Sequence, residues 1–383
     1  MQSTTRTALP RVMLVSASTG NGHNSAARAL QVALAQQGIE APLVDTLDYC
    51  PASFRAWFRD GYEVLVLHKP DLWGHLYRTS DRPRFNYRFQ TMLDFLFVAR
   101  INELIQAHRP DWIVCTHSLP LPRLAHIHRR NPSFRVGVVV TDLYPHRMWL
   151  RGNPHHYFVP DEWTRTILLQ RKPDTAGHIS VTGIPINPVF GQKQNPREAR
   201  EQLGLHPELP TVLFTAGGIG AGPVEEATRA LLRMRLPAQV VVVCGRNEGL
   251  YHRMCRRQTQ LTAGTPVRLA LRGHVPQAEM AALMRASDLL VGKPGGLTMS
   301  ECLATGCPFI IYMPVLIPGQ EEGNARFLQD VGAGLAVHHR DELPSTVQAL
   351  LQDPPRLAAM RDAALKVARP NAAADIARIL CTL

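Results

Sequence analysis

Short, uninterrupted runs of β-branched and aliphatic residues recur along this chain, each followed by a turn and then a segment of helical period. Runs such as Val12–Ala17, Val136–Thr141 and Gln239–Cys244 have no polar alternation, the signature of strands buried on both faces. Parallel sheets covered by helices on both sides bury strands in this way, so the class is α/β. In residues 1–187 further strands are expected at Trp112–Thr116 and Tyr157–Val159. Asn24–Gln37 reads as a helix, with Ala26, Ala27, Leu30, Ala33 and Leu34 inward and Gly38 as its C-cap. After Val181–Thr182, the segment Gly183-Ile184-Pro185-Ile186-Asn187-Pro188 breaks regular structure and reads as a hinge. A second series, within residues 188–365, has strands at Thr211–Thr215, Gln239–Cys244, Val267–Leu271, Leu289–Gly292 and Phe309–Tyr312. Two doubly wound sheets follow, a division that suits 383 residues. Ligands of such sheets collect beyond the carboxyl ends of the strands, here in a cleft between domains. The Ala-rich stretch Asn371–Leu380, within a closing segment 366–383, is expected to pack back on the first domain.

Charge adds a second constraint. Lys and Arg number 42 against 31 Asp and Glu, a formal +11, so an anionic partner is expected. The excess leans N-terminal, with 21 basic and 14 acidic side chains in residues 1–190 and 21 and 17 in residues 191–383. A dense aromatic and basic stretch lies between Cys50 and Arg100: Phe54, Trp57, Phe58, Tyr62, Trp73, Tyr77, Phe85, Tyr87, Phe89, Phe95 and Phe97, among Arg55, Arg59, Lys69, Arg78, Arg82, Arg84 and Arg88. It fits a satellite core with a solvated basic face and fits equally a surface that meets anionic lipid. Nucleic-acid stacking uses the same residue types, but no RNP-like, helix-turn-helix or zinc pattern accompanies them, so no nucleic acid is expected. Seven scattered cysteines without a CxxC read as reduced thiols. No signal-type apolar segment opens the chain, and no apolar run approaches the roughly 18 residues of a membrane span. A cytoplasmic protein with only peripheral membrane contact is therefore expected.

Several strand-to-helix junctions carry chemistry. Ser18-Thr19-Gly20-Asn21-Gly22-His23-Asn24 follows the first strand, where glycines let backbone approach a ligand and free N–H groups attract anions. The third glycine of a dinucleotide fingerprint is missing, and no acidic residue is expected at the next strand end, which disfavours NAD. His23 fits a general base and fits equally a helix cap. Asp142, in Thr141-Asp142-Leu143-Tyr144-Pro145-His146, stands at a strand end facing the cleft, as catalytic carboxylates and turn-capping ones both do. The glycine-rich Ala216–Gly222 suits a phosphate or a structural turn. In Lys293-Pro294-Gly295-Gly296-Leu297-Thr298-Met299-Ser300-Glu301, Gly295, Gly296 and Thr298 can donate to a diphosphate, and Glu301 can accept from a ribose diol. Pro318-Gly319-Gln320-Glu321-Glu322-Gly323-Asn324 supplies the amide and carboxylate groups that sugar hydroxyls require, and by composition alone would pass for a hydrophilic surface loop.

Taken in order, GNGH, TDxxxH, GIPI, VVVCG, KPGGLTMSE and PGQEEGNA resemble the diacylglycerol glycosyltransferases, which include processive bacterial glucosyltransferases and plant monogalactosyldiacylglycerol synthases of glycosyltransferase family 28. The resemblance runs from about Val12 to Val337. GGLTMSE is also similar to the enzyme that adds N-acetylglucosamine to lipid I, but that cousin opens with GGTGGH and lacks GQEEGNA. The resemblance implies a GT-B architecture and metal-independent, inverting transfer from a UDP-sugar to a lipid acceptor at an anionic membrane surface, on the inner face of the cell membrane, with no bound cofactor. It implies that Gly273, His274 and Val275 flank uracil and that Gly218 with Gly295, Gly296, Leu297 and Thr298 holds the diphosphate. Glu301 would take the ribose, and Gln320, Glu321 and Asn324 the donor sugar, with His23 or Asp142 as base. The link Tyr312–Pro318 is longer than is usual in that family. The alternatives are transfer from UDP-N-acetylglucosamine to another lipid, a UDP-sugar epimerase, and a UDP-sugar sensor without catalysis.

Overall fold

The computed structural model describes residues 9–18, 22–83, 101–220 and 222–383. Thr19, Gly20 and Asn21 of the first glycine loop, Ala221, and Arg84, Phe85, Tyr87, Arg88, Phe89, Phe95 and Phe97 of the aromatic stretch lie outside the described residues, as do the side chains of Phe54, Trp57, Phe58, Arg59 and Tyr62.

Two six-stranded sheets form, each wholly parallel. The first comprises β1 (Val12–Ser16), β2 (Leu43–Asp45), β3 (Trp112–Cys115), β4 (Arg135–Val139), β5 (His156–Val159) and β6 (Ile179–Val181), in the spatial order β2-β1-β3-β4-β5-β6. The second comprises β7 (Thr211–Thr215), β8 (Gln239–Val243), β9 (Arg268–Arg272), β10 (Leu289–Gly292), β11 (Phe309–Tyr312) and β12 (Gly334–Val337), in the order β12-β11-β10-β7-β8-β9. The central strands β1, β7 and β8 are buried along their whole length, which explains their unbroken apolar sequences. None of the seven cysteines forms a disulfide.

Three edge strands depart from the expectation, β2, β6 and β12, of which β2 and β12 are the more telling. Leu43–Asp45 is only three residues long and Gly334–Val337 is mostly half-buried, so neither carries a strong apolar run. The first matters chemically, because an acidic residue, Asp45, does end the strand after the glycine loop. Its carboxylate accepts from Ser18 N (3.3 Å), Leu47 N (3.0 Å), Asn24 Nδ2 (3.4 Å) and the Ser18 hydroxyl. Asp45 therefore ties the glycine loop to β2 instead of presenting a free carboxylate to a ribose.

The chain crosses between lobes twice, side by side. Ile184, Ile186 and Phe190 are already buried in the second lobe's core, so the first crossing lies at Thr182–Gly183. Gly183 has φ +96°, and a Cβ there would fall 2.5 Å from Arg369 Cβ on the returning segment. Only glycine fits that backbone and that spacing. Beyond the return, the helix Ala372–Thr382 packs Ala373, Ile376, Ala377 and Leu380 against Leu30 and Leu34 of α1 (Gly22–Gln36) and against Trp112 and Phe158 of the first sheet. Ile376 and Leu380 are fully buried there, stabilising by roughly 1.5–3 kcal/mol each.

The aromatic stretch begins with two helices, α2 (Ala52–His68) and α3 (Pro70–Ser80). One face of α3 serves as a satellite core. Tyr77 is buried, its ring 4.4 Å from that of His146, and Gly74 and Gly319 let α3 lie directly on the loop after β11. Arg78 adds an ion pair to Glu322 at 3.0 Å. The opposite side leaves Leu72 and Leu76 of α3 and Val64 of α2 exposed.

Candidate active site

In each sheet the strand order reverses once, between β1 and β3 and between β7 and β10. Loops leaving the carboxyl ends of strands from both sheets meet around one cavity of about 240 Å³. Its position is the one doubly wound sheets reserve for ligands.

The first lobe contributes a histidine and an aspartate. Helix α1 begins at Gly22, two residues earlier than the sequence suggests, so His23 lies in the first helical turn. Its Nδ1 is 2.8 Å from the Thr116 carbonyl oxygen and 3.0 Å from Thr141 Oγ1. A carbonyl can only accept, so Nδ1 carries the proton and Nε2 keeps a lone pair. Burial lowers the His23 pKa to about 4, against the opposing pull of the Thr116 carbonyl, so the ring is neutral at pH 7. Asp142 follows β4 and is buried. Burial first, and the negative charge of Glu321 second, push its pKa up to about 7, with a hydrogen bond from Trp149 partly opposing them.

The second lobe contributes a helix terminus and two carboxyl groups. The helix Gly296–Thr305 has no side-chain cap at Gly295, so its first N–H groups are open to the cavity. A Cβ on Gly296 would fall 2.0 Å from the Thr141 carbonyl oxygen, so the absence of a side chain lets this helix press against the first lobe's β4 loop. Glu301, 9% exposed and facing the cavity, has its pKa pushed up to about 8 by burial. Glu321 accepts from Ile317 N at 2.8 Å and pairs with Lys293 Nζ at 3.0 Å. The long link before Pro318 folds as a 3-10 turn, Met313–Val315, with Val315, Leu316 and Ile317 buried. Val315 and Leu316 join the second lobe's core, and Ile317 lines the cavity.

Of the residues singled out in the sequence, His23, Asp142, Gly218, His274, Val275, Gly295, Gly296, Leu297, Thr298, Glu301, Gln320 and Glu321 line this cavity. Two do not. Gly273 precedes the lining pair His274 and Val275 and lies against Tyr251. Asn324 is buried outside the cavity and spans the lobes, accepting from Leu143 N at 3.1 Å and donating to the Pro294 carbonyl at 2.9 Å. As placed, its amide is a clasp between lobes, not a group reaching for a sugar. Gln320 Oε1, by contrast, is buried without a hydrogen-bond partner among the described residues. Sequence reasoning gave no role to Lys293, which lines the cavity, nor to the Thr116 carbonyl and Thr141 hydroxyl that hold His23. Lys293 lay in plain view within its motif, but its pairing with Glu321 spans 28 residues of chain.

Residues 23–186 match the family described as monogalactosyldiacylglycerol (MGDG) synthase, and residues 211–377 match the glycosyltransferase family 28 C-terminal domain. A processive diacylglycerol beta-glucosyltransferase from Bacillus pumilus is 30% identical over 362 residues, covering 92% of this chain and 89% of the relative. Among solved structures, MurG from Acinetobacter baumannii superposes with a TM-score of 0.63 at 17% identity, over 98% of this chain and 100% of that one. HepE from Anabaena, in complex with UDP-glucose, gives 0.58 at 14% identity, over 98% and 100%. These likenesses fix the architecture as GT-B, two facing Rossmann-like lobes. By its two matched regions and its full-length relatives, the chain belongs to the diacylglycerol glycosyltransferases of glycosyltransferase family 28.

Proposed function

We propose that this glycosyltransferase moves a hexose from UDP-glucose or UDP-galactose to a lipid hydroxyl, 1,2-diacylglycerol foremost, with inversion at the anomeric carbon. The observation that carries the reading is a single cavity joining a neutral His23 and a proton-poised Asp142 on one wall to an open helix N-terminus and the buried Glu301 on the other. The Bacillus relative, named a processive diacylglycerol beta-glucosyltransferase, and the UDP-glucose held by HepE support the donor and acceptor classes.

In this reading His274 and Val275 flank the uracil, Glu301 takes the ribose diol, and Gly218 with the Gly295–Thr298 turn holds the diphosphate. Gln320, with its unsatisfied oxygen, and Glu321 receive the sugar hydroxyls. Asp142 is the base, because a conjugate acid near pH 7 combines a useful ionised fraction with enough driving force. The acceptor hydroxyl directs its single proton at Asp142, and neutral His23 lines the same wall of the cavity beside the acceptor. The hydroxyl oxygen attacks the anomeric carbon opposite UDP, its proton passes to Asp142, and the bond to the leaving oxygen breaks toward the diphosphate. Charge then grows on the diphosphate, where the N-terminus of Gly296–Thr305 stabilises it.

The acceptor arrives from a membrane surface, which the exposed Val64, Leu72 and Leu76 and the exposed Lys69 and Arg82 of the α2–α3 region suit. In this reading α2–α3 meets the inner face of the cell membrane peripherally; separately, no described helix is long and apolar enough to cross a membrane. The test incubates purified protein with diacylglycerol-containing vesicles and a panel of UDP-sugars, and identifies by mass spectrometry which lipid gains which sugar. Tight UDP-sugar binding without UDP release or a glycosylated lipid would refute it in favour of a sensor.

A further inference from the structure

Three carboxyl groups line the cavity, Asp142, Glu301 and Glu321, yet among the described residues Lys293 is the one Lys or Arg side chain that does. Its place is unusual. The stem lies across the turn after β7, with Cε 2.7 Å from where a Gly217 Cβ would stand, and the ammonium ends 3.0 Å from Glu321 Oε1. Lys293 thus spans the switch point between β7 and β10, the place where a nucleotide's phosphates sit in sheets of this order. Glu321 is held from its other side by the Ile317 N–H, and its Oε1 lies 3.3 Å from the position of a Gly295 Cβ, against the helix terminus. The cation and the carboxylate occupy each other.

We propose that Lys293 is a two-position cation, able to leave Glu321 for the donor diphosphate, so that the diphosphate itself frees Glu321 to accept the sugar's hydroxyls. This rests on the donor reading above and deepens it. A diphosphate competes well because it carries more charge than a single carboxylate and lies beneath the lysine stem, so the ammonium needs only to swing about its terminal bonds. The exchange orders recognition: a sugar without a diphosphate meets a Glu321 already engaged.

The distinguishing consequence is one of sign. Lys293→Met removes the cation and lowers UDP affinity about 10- to 100-fold, the loss expected of one charge-assisted hydrogen bond. Glu321→Gln releases the cation from its competitor and raises affinity for UDP, which has no sugar to lose, while weakening the preference for UDP-glucose over UDP. Calorimetric titration of wild type, both single variants and Lys293→Arg with UDP and with UDP-glucose reads this directly, and Lys293→Arg restores most of the UDP affinity. Thermal unfolding of each variant guards against misfolding. If Lys293 merely braced Glu321, both single variants would lose UDP affinity together, or neither would, and either result overturns the exchange. Failure of the wild type to bind UDP would instead remove the donor reading, and this inference with it.

Discussion

Replacing Asp142 by Asn makes the cost of its burial measurable. In an unfolded chain this carboxyl ionises near 3.8, whereas in the fold it does so only at about 7. Its contribution to stability is therefore intact below pH 3.8 and is lost progressively as the pH rises to 7, where the unfolded chain has released a proton that the fold retains. The gap corresponds to ~4 kcal/mol at and above pH 7. Asparagine keeps the shape, still accepts the hydrogen bond from Trp149, and never ionises. Asp142→Asn is accordingly as stable as the wild type near pH 4 and more stable at pH 8, by up to ~4 kcal/mol, while turnover collapses for want of a base. Calorimetric unfolding of both proteins at pH 4, 6 and 8 gives melting temperatures whose difference should widen with pH. A constant offset across that range, or a destabilised variant at pH 8, would refute the burial argument. Retained turnover would refute the base assignment alone.

Glu301 behaves similarly over a higher window: its stabilisation is lost between pH 4.5 and about 8, so Glu301→Gln raises the melting temperature at pH 9, while Glu301→Ala weakens UDP binding in calorimetric titration. At the hinge, Gly183→Val places a side chain at φ +96° and against Arg369, and should cost ~1–3 kcal/mol or more in thermal unfolding. On the exposed side of α3, Leu72→Ser with Leu76→Ser lowers cosedimentation with anionic, diacylglycerol-containing vesicles and leaves UDP affinity unchanged; unchanged cosedimentation would move the membrane contact elsewhere.

How far the sequence could be read followed from where the physical signal lies. Strands such as Thr211–Thr215, Leu289–Gly292 and Phe309–Tyr312 are legible to the residue because both faces are buried and their composition is unbroken. Edge strands answer to one neighbour, so β2 and β12 leave little trace, and with β2 went the placing of Asp45. Glycine motifs at strand ends located the cavity, since close backbone approach leaves a compositional mark. Roles set by distant partners left none: the Asn324 clasp links residues 181 apart, and the orientation of His23 depends on a carbonyl 93 residues away. The aromatic stretch supported two readings of equal weight because α3 has two faces. Tyr77 points inward, as a satellite core requires, while Leu72 and Leu76 are exposed, and it is for the vesicle assay to say what they meet.

The C-terminal helix also bears on synthesis. The apolar face shared by Leu30, Leu34, Trp112 and Phe158 is covered by Ala373, Ile376, Ala377 and Leu380, which are translated after both sheets. The N-terminal lobe is made first but completes its core last, after the second lobe has emerged and can fold. Throughout elongation, at about 5–20 residues per second, that face is open to water, and it is where a ribosome-associated chaperone would be needed. A chain without Ala372–Thr382 carries every group of the cavity yet leaves its first lobe unsealed, so loss of that helix is felt first as aggregation.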